Sequence, residues 1–291
     1  MIIYLNGNFV SEEEAKISPF DHGFLYGDGV FESMVVTNGL VFKLDQHLKR
    51  LYDSLTVLKI KIPFSKDELK KLVLETLRRN NLRDGYVRLV VSRGVGYPAL
   101  DPRACEKPTI VIIPSTKTFP QSFRGSYSDI IDKVVTVSTR KIPSVCIEAR
   151  VKSLNYLNNI LARIEALEAG ANEAIMLDLH GFVTEGPGEN VFIVKLGCLY
   201  TPPTHNILNG ITRQTVLELA KNMGIKAYEQ NLTRYDLYTA DEAFFTSTFG
   251  GIKPIREIDG RKIGLKVPGP ITEKLKKAYE SLLLKEGTPI E

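Results

Sequence analysis

Lys152 is the residue of this chain whose type and setting best suit covalent chemistry. It lies in Arg150-Val151-Lys152-Ser153-Leu154-Asn155-Tyr156, which reads as the end of a β-like segment and the opening of a helix. Leu157, Ile160, Leu161, Ile164 and Leu167 recur at helical spacing, so that helix is expected to bury this face. Asn155 stands where an N-cap would. A lysine fixed at such a junction loses part of its water, which favours the uncharged amine and suits it to Schiff-base chemistry. A solvated surface lysine is the ordinary alternative.

Two later stretches supply groups for such an amine to work with. Thr184-Glu185-Gly186-Pro187-Gly188-Glu189-Asn190 sets two carboxylates in one glycine-rich turn, where Glu189 reads as a supporting or simply exposed acid. Asn209-Gly210-Ile211-Thr212-Arg213 opens a helix expected over 211–223, with Val216, Leu219, Ala220 and Met223 inward. The free N–H groups and positive dipole end of a helix start favour an anion, and Thr212 adds a hydroxyl. Thr248 can add another, from the turn Ser247-Thr248-Phe249-Gly250-Gly251 that follows an expected strand from Glu242 to Ser247. There is no Walker phosphate loop and no strand–Gly-x-Gly-x-x-Gly–helix unit, so nucleotide binding is a poor reading. His-Glu-x-x-His is absent and the four histidines are scattered, so no metal site is expected.

The elements that must position these groups follow from periodicity. Ile2 to Leu5, the turn Asn6-Gly7-Asn8 and Phe9-Val10 form a hairpin. Phe20 to Glu32 carries several glycines among aromatics and is expected as a closely packed loop. Leu44, Leu48, Leu51, Leu55 and Leu58 mark an amphipathic helix. Arg50 sits well off that stripe and by angle alone points to solvent, and His47 receives no role. A second helix covers Ser65 to Asn80, with Leu69, Leu72, Val73 and Leu77 inward. In the strand Tyr86 to Ser92, period two puts Tyr86 and Arg88 on one face and Val87, Leu89 and Val91 on the other. A guanidinium there can grip a carboxylate through two hydrogen bonds, the alternative being an edge strand with one wet face. Thr109 to Ile113 is a strand, and the small, polar, proline-bearing residues 115–128 read as a linker. Beyond it come a strand from Lys133 to Ser138 and short strands at Ala174 to Leu177, Val191 to Val194 and Cys198 to Tyr200. They suggest an all-β pattern with few crossovers. Ile271, Leu275, Ala278 and Leu282 define a closing helix.

A chain of 291 residues is comfortable for two domains. The net charge of +4 comes without a basic block, which argues against nucleic acid as the main partner. Cys105, Cys146 and Cys198 form neither a disulfide framework nor a zinc pattern, and a reducing cytoplasm fits them. The N-terminus lacks the basic start and length of a signal peptide, and no apolar run reaches membrane-spanning length.

Taken in order, Lys152, the Glu-Gly-Pro-Gly-Glu-Asn turn and the Gly-Ile-Thr-Arg helix start resemble the class IV (fold type IV) aminotransferases, which use pyridoxal phosphate (PLP). The resemblance extends over almost the whole chain and is closest to branched-chain aminotransferases of the short archaeal and bacterial type. It implies a two-domain α+β fold: a small α/β domain over 1–114, the linker 115–128, and a larger cofactor-binding domain over 129–291 with a β-barrel-like core and flanking helices. Lys152 would form the Schiff base and shuttle the substrate α-proton. Glu185 matches the carboxylate that faces the pyridine nitrogen, and Arg50 the arginine that joins Ile211, Thr212 and Thr248 at the phosphate. Leu208 would pack on the ring face, with Tyr156 near the reacting carbon. Tyr26 and Phe31 match pocket aromatics, and Tyr86 with Arg88 matches a Tyr-x-Arg motif. The backbone N–H groups near Phe249 and Gly250 would receive the substrate α-carboxylate. The implied reaction moves an amino group between a branched-chain or hydrophobic L-amino acid and 2-oxoglutarate, in a homodimer or higher oligomer. Two departures leave room for D-amino acids, (R)-amines or aminodeoxychorismate cleavage. The turn reads Ser-Thr-Phe-Gly-Gly where these relatives usually carry Gly-Thr-Ala-Ala-Glu, and Ser33 replaces a usual glycine.

Overall fold

A computed structural model of the chain describes residues 1–116 and 129–291. Most of the expected linker, 117–128, therefore lies outside the described residues. In chain order the elements are β1 (Ile2–Leu5), β2 (Asn8–Ser11), α1 (His22–Tyr26), β3 (Gly29–Thr37), β4 (Leu40–Val41), α2 (Leu44–Leu58), α3 (Lys66–Arg79), β5 (Gly85–Ser92) and β6 (Thr109–Thr116). Then follow β7 (Ile131–Arg140), α4 (Leu157–Glu168), β8 (Glu173–Leu177), β9 (Asn190–Lys195), β10 (Cys198–Thr201), α5 (Ile211–Asn222), β11 (Ala227–Glu229) and α6 (Arg234–Tyr238). The chain ends with β12 (Glu242–Ser247), β13 (Gly251–Ile258), β14 (Arg261–Lys262), α7 (Pro270–Lys285) and β15 (Thr288–Pro289). Among the described residues no helix is long and apolar enough to cross a membrane.

The chain forms two compact units. The first holds residues 1–116 together with Val151–Asn155 and Leu283–Glu291, so the Lys152 segment belongs with the N-terminal residues. Its sheet runs β15-β4-β3-β5-β6-β1-β2 and is antiparallel throughout. Leu44, Leu48, Leu51 and Leu55 of α2 and Leu69, Val73 and Leu77 of α3 share one core with Val87, Leu89 and Val91 of β5. The period-two reading of β5 thus holds: Arg88 is exposed and Tyr86 half-buried on the opposite face. Helix α3 starts where the sequence places it, because Ser65 and Glu68 cap each other's backbone N–H groups. Two expectations need correction. Ser115 and Thr116 are not linker but the end of β6, paired with Tyr86 and Gly85. The glycine-rich stretch is not one loop but helix α1 followed by the start of β3.

The second unit holds residues 129–150 and Tyr156–Leu282. Its sheet runs β11-β10-β9-β12-β13-β7-β8, with β14 paired to β13. The β7–β8, β7–β13 and β10–β11 pairs are parallel. Parallel neighbours need crossovers, and α4 and α5 supply two of them, so the expected pattern of few crossovers is wrong here. Helix α4 also overturns the reading of its buried face. Ala162 and Ala166 are the buried positions, packed with Val137, Ala174 and Met176. Leu157, Ile160, Leu161, Ile164 and Leu167 are 44–68% exposed. Two alanines let the helix approach the sheet closely, and the aliphatic stripe is left facing outward. Asn155 does not cap this helix: Tyr156 occupies the cap position, and the Asn155 amide donates to the Gly27 carbonyl at 2.8 Å. In α7 only Leu275 of the expected face is fully buried, beside Thr272 and Tyr279.

Candidate active site

The candidate residues fall into one group per unit. In the first, Lys152 follows no strand. Its segment is instead clipped to the start of β3: Phe31 N–H donates to the Lys152 carbonyl at 3.0 Å and Leu154 N–H to the Gly29 carbonyl at 2.9 Å. Ser153 bridges Val30, and Lys152 N–H reaches Ser54 Oγ at 3.4 Å. Gly29 is needed for this fit, since a Cβ there would lie 2.7 Å from Leu154 Cδ1 and 2.6 Å from the Val91 carbonyl. The Lys152 ammonium lies 4.6 Å from the centre of the Phe31 ring, and the Arg88 guanidinium lies 4.4 Å from the same ring. Register explains the second contact: Ser33 of β3 pairs with Arg88, so Phe31 and Arg88 share a sheet face. Tyr26 ends α1 with its ring edge-on to His22.

Beneath this surface lies a group that sequence periodicity misses. Glu32, on the helix-facing side of β3, is fully buried. Its carboxylate accepts from Arg50 Nε at 2.6 Å, Arg50 Nη2 at 2.8 Å and His47 Nδ1 at 2.7 Å. Arg50 is therefore turned inward, its side chain 13% exposed, and not solvated as its helical angle suggests. Burial pushes the Glu32 carboxyl up, but Arg50 and His47 outweigh it and hold it at about 2. Burial pushes His47 down, Glu32 opposes this, and Arg50 and Lys152 add to it, so the imidazole is neutral at physiological pH. The signal available in the sequence is Glu32 alternating into a helix-covered face, with His47 and Arg50 three residues apart on α2.

In the second unit Glu185 is buried and held on both oxygens. Lys141 Nζ binds Oε1 at 2.8 Å; Asn190 Nδ2 and Leu208 N–H bind Oε2 at 3.0 and 3.1 Å. Asn190 also donates to the Leu208 carbonyl at 3.0 Å, which ties the Glu185 turn to the stretch of chain that enters α5. Sequence spacing does not reveal Lys141, which lies just past β7, far from either motif. Gly210 is the N-cap of α5 and makes no side-chain cap bond. A Cβ at Gly210 would fall 2.1 Å from Asn190 Oδ1, so only glycine lets these segments meet. The helix mouth thus presents N–H groups with no capping side chain, beside the buried hydroxyl of Thr212, 3.5 Å from Tyr279 Oη. Burial pushes the Tyr279 phenol up to about 12, partly opposed by Thr212, so it stays protonated.

Thr248, Phe249 and Gly250 form the turn between β12 and β13. Gly250 N–H donates to Ser247 Oγ at 3.0 Å, so a side chain of the turn already engages this expected carboxylate receiver. Close to the turn lie Glu173, Glu189 and Lys253. Burial and the Glu173 charge push the Glu189 carboxyl up to about 8, against Gly188 N–H, Arg163 and Lys253. Burial lowers Lys253, with Glu189 opposing. Glu189 is therefore not simply an exposed turn acid.

A family model described as amino-transferase class IV matches residues 29–258. A Methanocaldococcus jannaschii relative is 53% identical over 291 residues, covering 100% of this chain and 99% of its own. The crystal structure of a branched-chain aminotransferase from Thermoproteus uzoniensis, with norvaline, is similar with a TM-score of 0.92 at 37% identity, covering 100% of this chain and 99% of that one. The Escherichia coli branched-chain amino acid aminotransferase is similar with a TM-score of 0.92 at 33% identity, covering 99% and 96%. By the family model over most of its length and by relatives matched nearly end to end, the chain belongs to the class IV aminotransferases, among the branched-chain-amino-acid aminotransferases.

Proposed function

We propose that this transaminase works with pyridoxal phosphate and moves an amino group between a branched-chain or other hydrophobic L-amino acid and 2-oxoglutarate. The observation that carries the reading is the linkage of Glu185 to the mouth of α5. The Leu208 N–H held by Glu185 lies only a few residues before the uncapped helix start at Gly210. One compact unit thus joins an acid for a cationic ring nitrogen to a cradle for a phosphate, and a phosphorylated pyridine carries both groups.

When bound, the cofactor supplies an aldehyde that condenses with amines and a ring that draws electrons from the substrate α-carbon. Lys152 would be the amine that meets that aldehyde, and would take and return the α-proton. Glu185 would face the ring nitrogen and favour its protonated form. The N–H groups of Ile211 and Thr212, with the hydroxyls of Thr212 and Thr248, would hold the phosphate, and Arg50, oriented by Glu32, would add a cation. Leu208 would cover one face of the ring, and Tyr156 would stand near the reacting carbon. Tyr26, Phe31 and Tyr86 give an apolar wall for an aliphatic side chain. Arg88 receives the distal carboxylate of glutamate, and the backbone at Phe249 and Gly250 the α-carboxylate. The outward aliphatic stripe of α4 supports a homodimer or higher oligomer, and three cysteines without disulfides fit a reducing cytoplasm.

The test is spectroscopic. The purified protein should be yellow, and Lys152→Ala should lose that colour. Offered L-leucine, D-alanine and (R)-1-phenylethylamine in single half-reactions, the holoenzyme should bleach with L-leucine. Bleaching by D-alanine alone would overturn the substrate assignment, and a colourless protein that cannot be reconstituted would overturn the cofactor.

A further inference from the structure

We propose that Lys141 is a positioning residue for Glu185: its ammonium shares the oxygen on which the cofactor's ring nitrogen would rest, and so limits how tightly that nitrogen holds its proton. The inference rests on the assignment of Glu185 to the ring nitrogen made above.

The argument is one of acceptor sites. An ionised carboxylate has about four lone-pair positions, two on each oxygen. On Glu185 the two of Oε2 are taken by neutral donors, Asn190 Nδ2 at 3.0 Å and Leu208 N–H at 3.1 Å. Oε1 accepts from Lys141 Nζ at 2.8 Å. A further donor arriving at this carboxylate therefore finds its place on Oε1, next to the ammonium. Both side chains are withdrawn from water, Lys141 at 12% and Glu185 at 7% exposure, so the ammonium charge is weakly screened there. The backbone that carries Lys141 is held in place. Its N–H donates to the Leu177 carbonyl at 2.9 Å, and the next residue is pinned by Ile142 N–H to Asn158 Oδ1 at 3.1 Å.

Two cations on one carboxylate oxygen oppose each other. Glu185 raises the proton affinity of a ring nitrogen, and Lys141 takes part of that gain back. The fold places a lysine, not a neutral residue, beside the acid, and the consequence is an electron sink held short of its full strength. A merely structural lysine would neutralise Glu185 for folding and leave the ring untouched.

The test uses holoenzyme loaded with cofactor labelled with 15N in the ring. The nitrogen resonance is followed from about pH 6 to pH 9 in wild type, Lys141→Gln, Lys141→Arg and Glu185→Gln. Glutamine keeps a hydrogen-bond donor for Oε1 and removes the charge; arginine keeps the charge. Lys141→Gln should move the nitrogen toward its protonated limit, raising its proton affinity by about tenfold or more, with Lys141→Arg close to wild type. Glu185→Gln should move it the opposite way. A shift in Glu185→Gln with none in Lys141→Gln would overturn the role of Lys141 alone. No shift in either would show that Glu185 does not face the ring, and would overturn the site assignment as well. Should Lys141→Gln not fold, Lys141→Met is read by the same criterion.

Discussion

Replacing Glu32 by glutamine removes one charge from the most buried ion pair of the first unit while keeping its shape. The magnitude can be worked from two directions. A fall of the carboxyl from its ordinary 4.5 to about 2 corresponds to about 3 kcal/mol of stabilisation. Independently, removing one partner of a buried pair costs about 3–5 kcal/mol, because the surviving charge loses its counter-ion. That survivor is Arg50, which loses the acceptor of two of its N–H groups. The folded-state value is depressed, so the stabilisation is complete above about pH 4.5 and drains away as the pH falls toward about 2. The gap between wild type and Glu32→Gln should therefore be about 3 kcal/mol near neutrality and about half of that at about pH 3. Urea unfolding followed by far-UV circular dichroism measures it, since the chain has no tryptophan to report by fluorescence. Adding Arg50→Met to Glu32→Gln should recover part of the loss, as both charges are then gone. A gap below about 1 kcal/mol at neutrality, or one that does not narrow in acid, would refute the argument that charge holds this network.

Two further outcomes are expected. Glu189 is the opposite case: its folded value is raised, so the stability it allows is present below about pH 4.5 and lost as the pH climbs through about 8. Glu189→Gln should hold its melting temperature across that window while wild type declines, and parallel curves would show that Glu189 ionises freely. On α4, Ile160→Glu with Ile164→Glu should bring the sedimenting species toward the 32.6 kDa of one chain. If wild type already sediments at that mass, the aliphatic stripe is not an interface between copies.

Periodicity locates the elements well where one face meets a core within the same unit. Tyr86 and Arg88 separate from Val87, Leu89 and Val91 because α2 and α3 pack on the face of β5 that carries the aliphatic residues. The same logic fails on α4, where hydrophobic spacing identifies an apolar face but says nothing about what covers it. Alanines carry the packing there, and alanine contributes too little to a hydrophobic pattern to be noticed. The parallel pairs of the second unit are hidden for a related reason: short strands give no sign of which neighbour they will take. Site residues fare unevenly. Glu185 and the α5 mouth are legible because glycine, an acid and a helix start sit close together in sequence. Glu32, His47 and Lys141 are not, since each acts through a partner 15 to 44 residues away. An acid facing inward looks like a strand defect until its arginine is seen.

The turn at Ser247 to Gly251 shows how a departure from relatives can be internally consistent. Ser247 gives the Gly250 N–H an acceptor within the turn, which a glycine at that position could not. Gly250 in turn leaves room for Lys253, whose Cε would lie 2.8 Å from any Cβ added there. Gly251 takes a positive φ of 62°, at home for glycine and strained for a residue with a side chain. The substitutions therefore act as a set: the serine closes the turn on itself, and the two glycines let it fold tightly over the lysine stem. Under the proposed assignment, a substrate carboxylate at this turn would meet one donor already engaged. It would have to outcompete a neutral hydroxyl for that N–H, and a charged acceptor forms roughly twice as strong a bond as a neutral one.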